Sequence, residues 1–327
     1  MRAAWYERNG AAREVLTIGE MPDPAPGPGE VLVRIHASGV NPSDVKSRQG
    51  LRGPMAFPRV IPHSDGAGVV AAVGEGVSPA RVGQRVWLYN AQWQRPFGTA
   101  AGLAALPAGL AVPLPEGVDF AAGACLGIPA STAHHAVFAD GPVACKTVLV
   151  TGGAGAVGHY AIQLARWGGA RVLATASSAE KAAHARAAGA EAVFNYRSED
   201  VAAAVLEATG GAGVDRIVEV DFGANLAVTV KILKPHGIVA AYASAAAPEP
   251  VLPFYPLMFK AATLRLVLVY LLTAEERKQA VADLTRALEQ RALRHAVAKT
   301  FPLAEIAAAH EAVESGGVIG NVVVEVA

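Results

Sequence analysis

Val148-Leu149-Val150-Thr151-Gly152-Gly153-Ala154-Gly155-Ala156-Val157-Gly158 is the stretch on which the reading of this 327-residue chain turns. An apolar run enters a glycine-rich turn, and a helical pattern with Val157, Ala161, Leu164 and Ala165 on one face leaves it. The run Gly153-Ala154-Gly155-Ala156-Val157-Gly158 has G-x-G-x-x-G spacing, which is weak alone but informative between a strand and a helix. Glycines there allow a tight turn and close backbone approach to a pyrophosphate, whose charge is received by N–H groups at the helix N-terminus. The alternative is a merely structural turn; the strand–helix setting favours dinucleotide binding.

Outward from that turn the chain alternates. Strands are predicted over 171–174, 192–194, 216–218 and 237–241, and helices over 181–188 and 198–209, with Gly189 as a helix stop. This alternation predicts a doubly wound parallel sheet. Upstream, the first ~120 residues read differently. Pro22, Pro24, Pro26 and Pro28 precede strands over 30–35, 66–73 and 85–88, with the Gly/Pro punctuation of a small barrel or sandwich. Downstream, Thr273-Ala274-Glu275-Glu276 is a capping box opening a helix, a last helix runs from Pro302 to Ser315, and 321–326 reads as a closing strand.

Composition narrows the class. Hydrophobic residues make up 52% and charged residues 17%, against disorder, and 28 basic residues cancel 28 acidic ones, so neither nucleic acid nor an anionic membrane is expected as a partner. The two cysteines, Cys125 and Cys145, cannot form a disulfide framework. The N-terminus is charged where a signal peptide is apolar, and the most apolar stretch, at 264–272, contains Arg265 and is too short to span a bilayer. A soluble cytoplasmic protein is expected.

The second strand of the alternation bears on cofactor choice. An NAD-selecting site usually places an acid after it; here the stretch is Ala174-Thr175-Ala176-Ser177-Ser178-Ala179-Glu180-Lys181. Small hydroxyl residues and Lys181 suit a 2′-phosphate, so NADPH is expected. The alternative makes Ser178 a helix cap and Lys181 a solvated residue.

Several motifs together resemble the medium-chain dehydrogenase/reductase superfamily, specifically its zinc-free quinone oxidoreductase branch, which includes ζ-crystallin. They are Gly39-Val40-Asn41-Pro42-Ser43-Asp44, Ile61-Pro62-His63-Ser64-Asp65-Gly66-Ala67-Gly68, Val73-Gly74-Glu75-Gly76-Val77, the glycine-rich turn, Asn195-Tyr196-Arg197 and Ala309-His310-Glu311-Ala312. The resemblance implies an α/β fold with a GroES-like β-rich catalytic domain (1–120), a Rossmann-type doubly wound parallel-sheet domain (121–293) and a C-terminal segment (294–327) completing the first, with the active site in a cleft. It places Ala154, Gly155, Ala156 and Val157 on pyrophosphate, and Ser177, Lys181 and Tyr196 around the adenosine phosphate. Asn41, Thr132, Asn225, Ala241, Ser244, Leu266, Val267 and Leu268 fall where relatives line the nicotinamide half. It also implies a homodimer through the apolar segment from Thr263 to Leu271, too apolar for an exposed sheet edge.

The departures carry information. Zinc-dependent relatives have cysteine where Asn41 stands, histidine where Ser64 stands and a second cysteine near Ile128, so no metal is expected. Quinone reductases of the branch often show tyrosine at Lys46 and another near Arg52. Two cations there point to a more polar acceptor, unless both face solvent. Asn41, Lys46, Arg52 and Ser64 form the candidate acceptor pocket; no catalytic acid is assigned. The implied activity is NADPH-dependent reduction of a quinone or α,β-unsaturated carbonyl, a small-molecule electron acceptor. An enoyl-thioester reductase and a non-catalytic NADPH-binding protein are the alternatives.

Overall fold

The computed structural model describes residues 1–326, and the chain forms two compact units: Met1–Pro129 together with the segment from His295 onward, and Ala130–Arg294. The first is built round the strand Glu30–Val40, which buries Val31, Val33 and Ile35 by simple alternation. It pairs antiparallel with Asp65–Val73, Leu103–Pro107 and Asn321–Glu325. Arg85–Leu88, Ala111–Pro113 and Val297–Pro302 complete a seven-stranded sheet. A ribbon of Arg2–Trp5 and Thr17–Glu20 packs Ala3 and Ala4 in one cluster with Ile306, Val322 and Val324.

The ribbon, Leu103–Pro107, Val297–Pro302 and the helix Pro42–Gln49 were not legible in the sequence, because none carries a clear polar–apolar alternation or an apolar stripe. The unit boundary falls at 129/130 rather than 120/121, and the second at 294/295 rather than 293/294. The first shift has a local cause. The Ile128 N–H donates to Asp65 at 2.9 Å, and Gly39 lies so close to the following segment that a Cβ there would sit 2.1 Å from the Ala124 carbonyl oxygen.

The second unit carries β1 (Thr147–Val150), α1 (Ala156–Trp167), β2 (Arg171–Ala176), α2 (Ala179–Ala188), β3 (Ala192–Asn195), α3 (Val201–Ala208), β4 (Val214–Glu219), α4 (Phe222–Ile232), β5 (Leu233–Ala241) and β6 (Thr263–Leu266). All ladders are parallel, in the order β3-β2-β1-β4-β5-β6, with Leu149, Leu173, Ile217 and Val239 from the strands packed against Val205, Phe222 and Leu226 from the helices. Thr273 opens the helix Ala274–Glu289 with the anticipated capping box, and Gly189 ends α2 at φ 116°.

The strand anticipated over 263–271 ends at Leu266. Val267, Val269 and Tyr270 turn inward, and Val269–Leu271 forms a 3₁₀ turn instead. β6 is still a sheet edge, with Leu264 41% and Leu266 75% exposed. Among the described residues, no helix is long and apolar enough to cross a membrane.

Candidate active site

The glycine-rich turn is a loop in which two glycines are fixed by close packing. A Cβ at Gly158 would lie 2.3 Å from the Gly152 carbonyl oxygen, and one at Gly153 2.9 Å from the Ala174 Cβ and 3.0 Å from Ile162 Cδ1. These two glycines are required by packing alone. Gly155 differs: a Cβ there would meet nothing nearer than 3.4 Å, and the residue is exposed. It is the N-cap of α1, and no side chain caps that helix. Uncapped N–H groups beyond an exposed residue that carries no side chain are what an anionic group could use. Ala154 is buried within the loop.

Ser177, Lys181 and Tyr196 gather at the carboxyl ends of β2 and β3. The Tyr196 N–H donates to the Ala176 carbonyl at 3.2 Å, and Tyr196 is 51% exposed. The Ser178 hydroxyl accepts from the Lys181 N–H at 3.3 Å, so Ser178 does cap α2. That role leaves the Lys181 ammonium and the Ser177 hydroxyl available to a ligand.

Beyond β4 and β5 the anticipated residues divide. Asn225 is half-buried in the first turn of α4, and its Nδ2 donates to Glu219 Oε1 at 2.8 Å. The Ser244 hydroxyl accepts from the Gly223 N–H at 3.0 Å and donates to the Ala247 carbonyl at 2.5 Å, so it organises its own loop. Ala241 and Val267 are joined by a 2.8 Å backbone bond; both are buried, whereas Leu266 and Leu268 are exposed. Thr132 is buried in the helix Ser131–Phe138. Its neighbour His134 is occupied: it bonds Asp283 at 2.9 Å.

In the first unit, Asp65 is the organising residue. Fully buried, its Oδ2 accepts from Asn41 Nδ2 at 2.8 Å and from the Ile128 N–H at 2.9 Å. Asn41 and Ile128 thus meet at Asp65, which Ser64 precedes in sequence. An amide, an aliphatic chain and a hydroxyl do not make a zinc ligand set, and among the described residues no group of three His, Cys, Asp or Glu could hold a metal. Asp44 accepts the Asn41 N–H at 2.8 Å in a capping box, and burial pushes its carboxyl up to about 7. Lys46 is half-buried and Arg52 exposed, the latter near enough to oppose that rise.

Sequence reasoning missed a buried relay beside this point. His63, at φ 78°, bonds Ser38 Oγ through Nδ1 at 2.8 Å and His310 Nε2 through Nε2 at 3.0 Å; Ser38 in turn bonds Thr99 at 2.7 Å. Arg48 lies against His310 and pairs with Glu314. Burial lowers His63 to about 3 and takes His310 well below its usual range, so both rings are neutral. Cys125 is buried, and burial pushes its thiol up, so it has no thiolate character; Cys145 is also free.

Comparison with known proteins agrees with this architecture. The family model for the alcohol dehydrogenase GroES-like domain matches residues 27–116, and that for zinc-binding dehydrogenases matches 156–286. The chain is 33% identical to rat (Rattus norvegicus) quinone oxidoreductase over 302 residues, 92% of this chain and 90% of the relative. It is also 33% identical to a 2-haloacrylate reductase from a Burkholderia species, over 91% of each. The solved structure of Escherichia coli quinone oxidoreductase complexed with NADPH superposes with a TM-score of 0.88 at 26% identity, covering 99% of this chain and 100% of that one. With its GroES-like unit, its parallel sheet in the order 3-2-1-4-5-6 and these full-length likenesses, the chain belongs to the medium-chain dehydrogenase/reductase superfamily, in its quinone oxidoreductase branch.

Proposed function

We propose that the protein is an NADPH-dependent reductase that delivers hydride to a quinone or an α,β-unsaturated carbonyl without zinc. The observation that carries this reading is the uncapped N-terminus of α1 beyond the exposed Gly155. Two of the relatives named above are quinone oxidoreductases, one of them complexed with NADPH, and a third is by name a reductase of an unsaturated carboxylate.

When bound, NADPH supplies the hydride. Ala154 to Val157 would receive its pyrophosphate on backbone N–H groups, and Ser177, Lys181 and Tyr196 would hold the adenosine 2′-phosphate. Thr132, Asn225, Ala241 and Val267 of the second unit would hold the nicotinamide half; Asn41 is assigned to that half by the family resemblance alone. Ser244 contributes through its backbone, its hydroxyl being engaged. Leu266 and Leu268 belong to the same strand exit. Lys46 and Arg52 favour acceptors that carry a negative charge, with Ser64 and Asn41 behind them. The donor set at Asn41, Ser64 and Ile128 leaves polarisation of the acceptor to its own conjugated carbonyl.

The chain is proposed to act in the cytoplasm as a homodimer joined along β6, whose exposed Leu264 and Leu266 invite a second edge. Light scattering should give twice 33.5 kDa, and a persistent monomer would refute the dimer.

The test of function is NADPH oxidation across a quinone, an enone, a 2-haloacrylate and an enoyl thioester. Turnover of the first three supports the reading. Preference for the thioester moves the protein to the enoyl-thioester reductases, and binding without turnover on any acceptor makes it a non-catalytic NADPH-binding protein.

A further inference from the structure

One carboxyl group that the glycine motif does not include sits where the parallel sheet reverses. In the order β3-β2-β1-β4-β5-β6, β1 and β4 are neighbours whose successors run to opposite edges. In open α/β sheets, ligands bind outside the carboxyl ends of such a pair. Thr151 follows β1, and Glu219 closes β4. Thr151 Oγ1 donates to Glu219 Oε1 at 2.9 Å and accepts the Val220 N–H at 2.9 Å, stitching the two strand ends together.

Glu219 is fully buried, and its Oε1 also accepts the Asp221 N–H at 2.6 Å and Asn225 Nδ2 at 2.8 Å. An oxygen that already accepts from a backbone N–H is an acceptor whether the carboxyl is ionised or carries its proton on Oε2. The end of the Asn225 amide that faces it is therefore the NH₂. The flipped amide would set two acceptor oxygens against each other. Asn225 Oδ1 is thus turned away from Glu219, and it accepts no hydrogen bond from the described residues.

We infer that Glu219 is a positioning residue that locks the Asn225 amide, so that its carbonyl oxygen is presented to a hydrogen-bond donor on the nicotinamide half of the dinucleotide, the carboxamide NH₂ or a ribose hydroxyl. This rests on the NADPH reading above.

The test compares the affinity of the full chain for NADP⁺ and for adenosine 2′,5′-bisphosphate, which lacks the nicotinamide half. Asn225→Ala and Glu219→Ala should each weaken NADP⁺ about tenfold, roughly one well-made hydrogen bond, and leave the bisphosphate within about twofold. The double variant should be no weaker than Asn225→Ala, because Glu219 acts through Asn225. A purely structural Glu219 would weaken both ligands alike, since Thr151 supports the glycine loop. That result, an unchanged NADP⁺ affinity, or additive losses in the double variant would overturn the inference.

If Glu219→Ala does not fold, Glu219→Gln keeps one oxygen for the three donors and should bind NADP⁺ within about twofold of wild type. A selective tenfold loss in Glu219→Gln, or no loss in Asn225→Ala, would overturn it equally. The 3-acetylpyridine analogue of NADP⁺, with a methyl group in place of the carboxamide NH₂, separates the two donors. If Asn225→Ala no longer matters for the analogue the donor is the carboxamide; if the loss persists it is the ribose. A wild type that binds neither NADP⁺ nor the bisphosphate fails at the NADPH reading itself and takes this inference with it.

Discussion

Asp65 in the first unit and Glu219 in the second are both fully buried, and each holds the NH₂ end of an asparagine side chain at 2.8 Å. Around them the similarity ends. Asn41 is 4% exposed and caps the helix Pro42–Gln49, and Asp65 draws in the Ile128 N–H besides, so the acid ties three distant segments into one point. Asn225 is half-buried, and its carbonyl oxygen accepts no hydrogen bond from the described residues. The same device holds the fold together where its asparagine is covered and presents a group where the asparagine is not. In the first unit, hydrogen bonds thus join Asn41 and Ile128 through Asp65; in the second, on the inference above, they turn the Asn225 carbonyl toward a ligand.

The sharpest way to break that contrast is Asp65→Ala. It strands two buried donors, Asn41 Nδ2 and the Ile128 N–H, at about 1–3 kcal/mol each. Denaturant unfolding should show a loss of about 2–6 kcal/mol. A loss below about 1 kcal/mol would mean that Asp65 is not what ties the segments together.

The contrast also has a pH signature in the first unit. His63 and His310 are neutral in the fold and titrate there well below the ordinary value of about 6.5. Because the unfolded chain then binds more protons, their contribution to stability is complete above about pH 6.5 and is lost as pH falls toward about 3. Thermal melts should fall progressively over that window. His63→Asn is the sharpening variant: asparagine tolerates the positive φ and cannot take up a proton. Its melts should decline less steeply, and a decline parallel to wild type would assign the effect elsewhere.

In the second unit the corresponding change is smaller and is read in binding. Lys181→Ala should weaken NADPH about tenfold, the worth of one charge-assisted bond, and leave NADH within about twofold. Equal losses for both cofactors would make Lys181 a solvated residue.

Features with a local code were legible in the sequence. The strand Arg85–Leu88 lies at its anticipated bounds, and the Thr273 capping box and the stop at Gly189 are present, each specified by residues a few positions apart. The parallel order follows from strand–helix alternation. What escaped is assembled from distance: Asn41 meets Asp65 across 24 positions, and His63 meets His310 across 247. Ser244 is placed on the nicotinamide half by resemblance, and nothing local reveals that the Gly223 N–H will claim its hydroxyl. Glu219 did leave a signal, an acid directly after the apolar run Ile217-Val218, which periodicity alone counts only as a strand end.

The central claim is hydride delivery from NADPH without zinc, and isotope transfer tests it most directly. Chelator-treated protein would be given NADPH stereospecifically deuterated at C4, each face in turn, with an enone or 2-haloacrylate. Mass spectrometry of the product should then show a single deuterium on carbon from one of the two labelled faces, at a rate the chelator does not change. Product lacking deuterium from both faces, or turnover that disappears on chelation and returns with zinc, would contradict it.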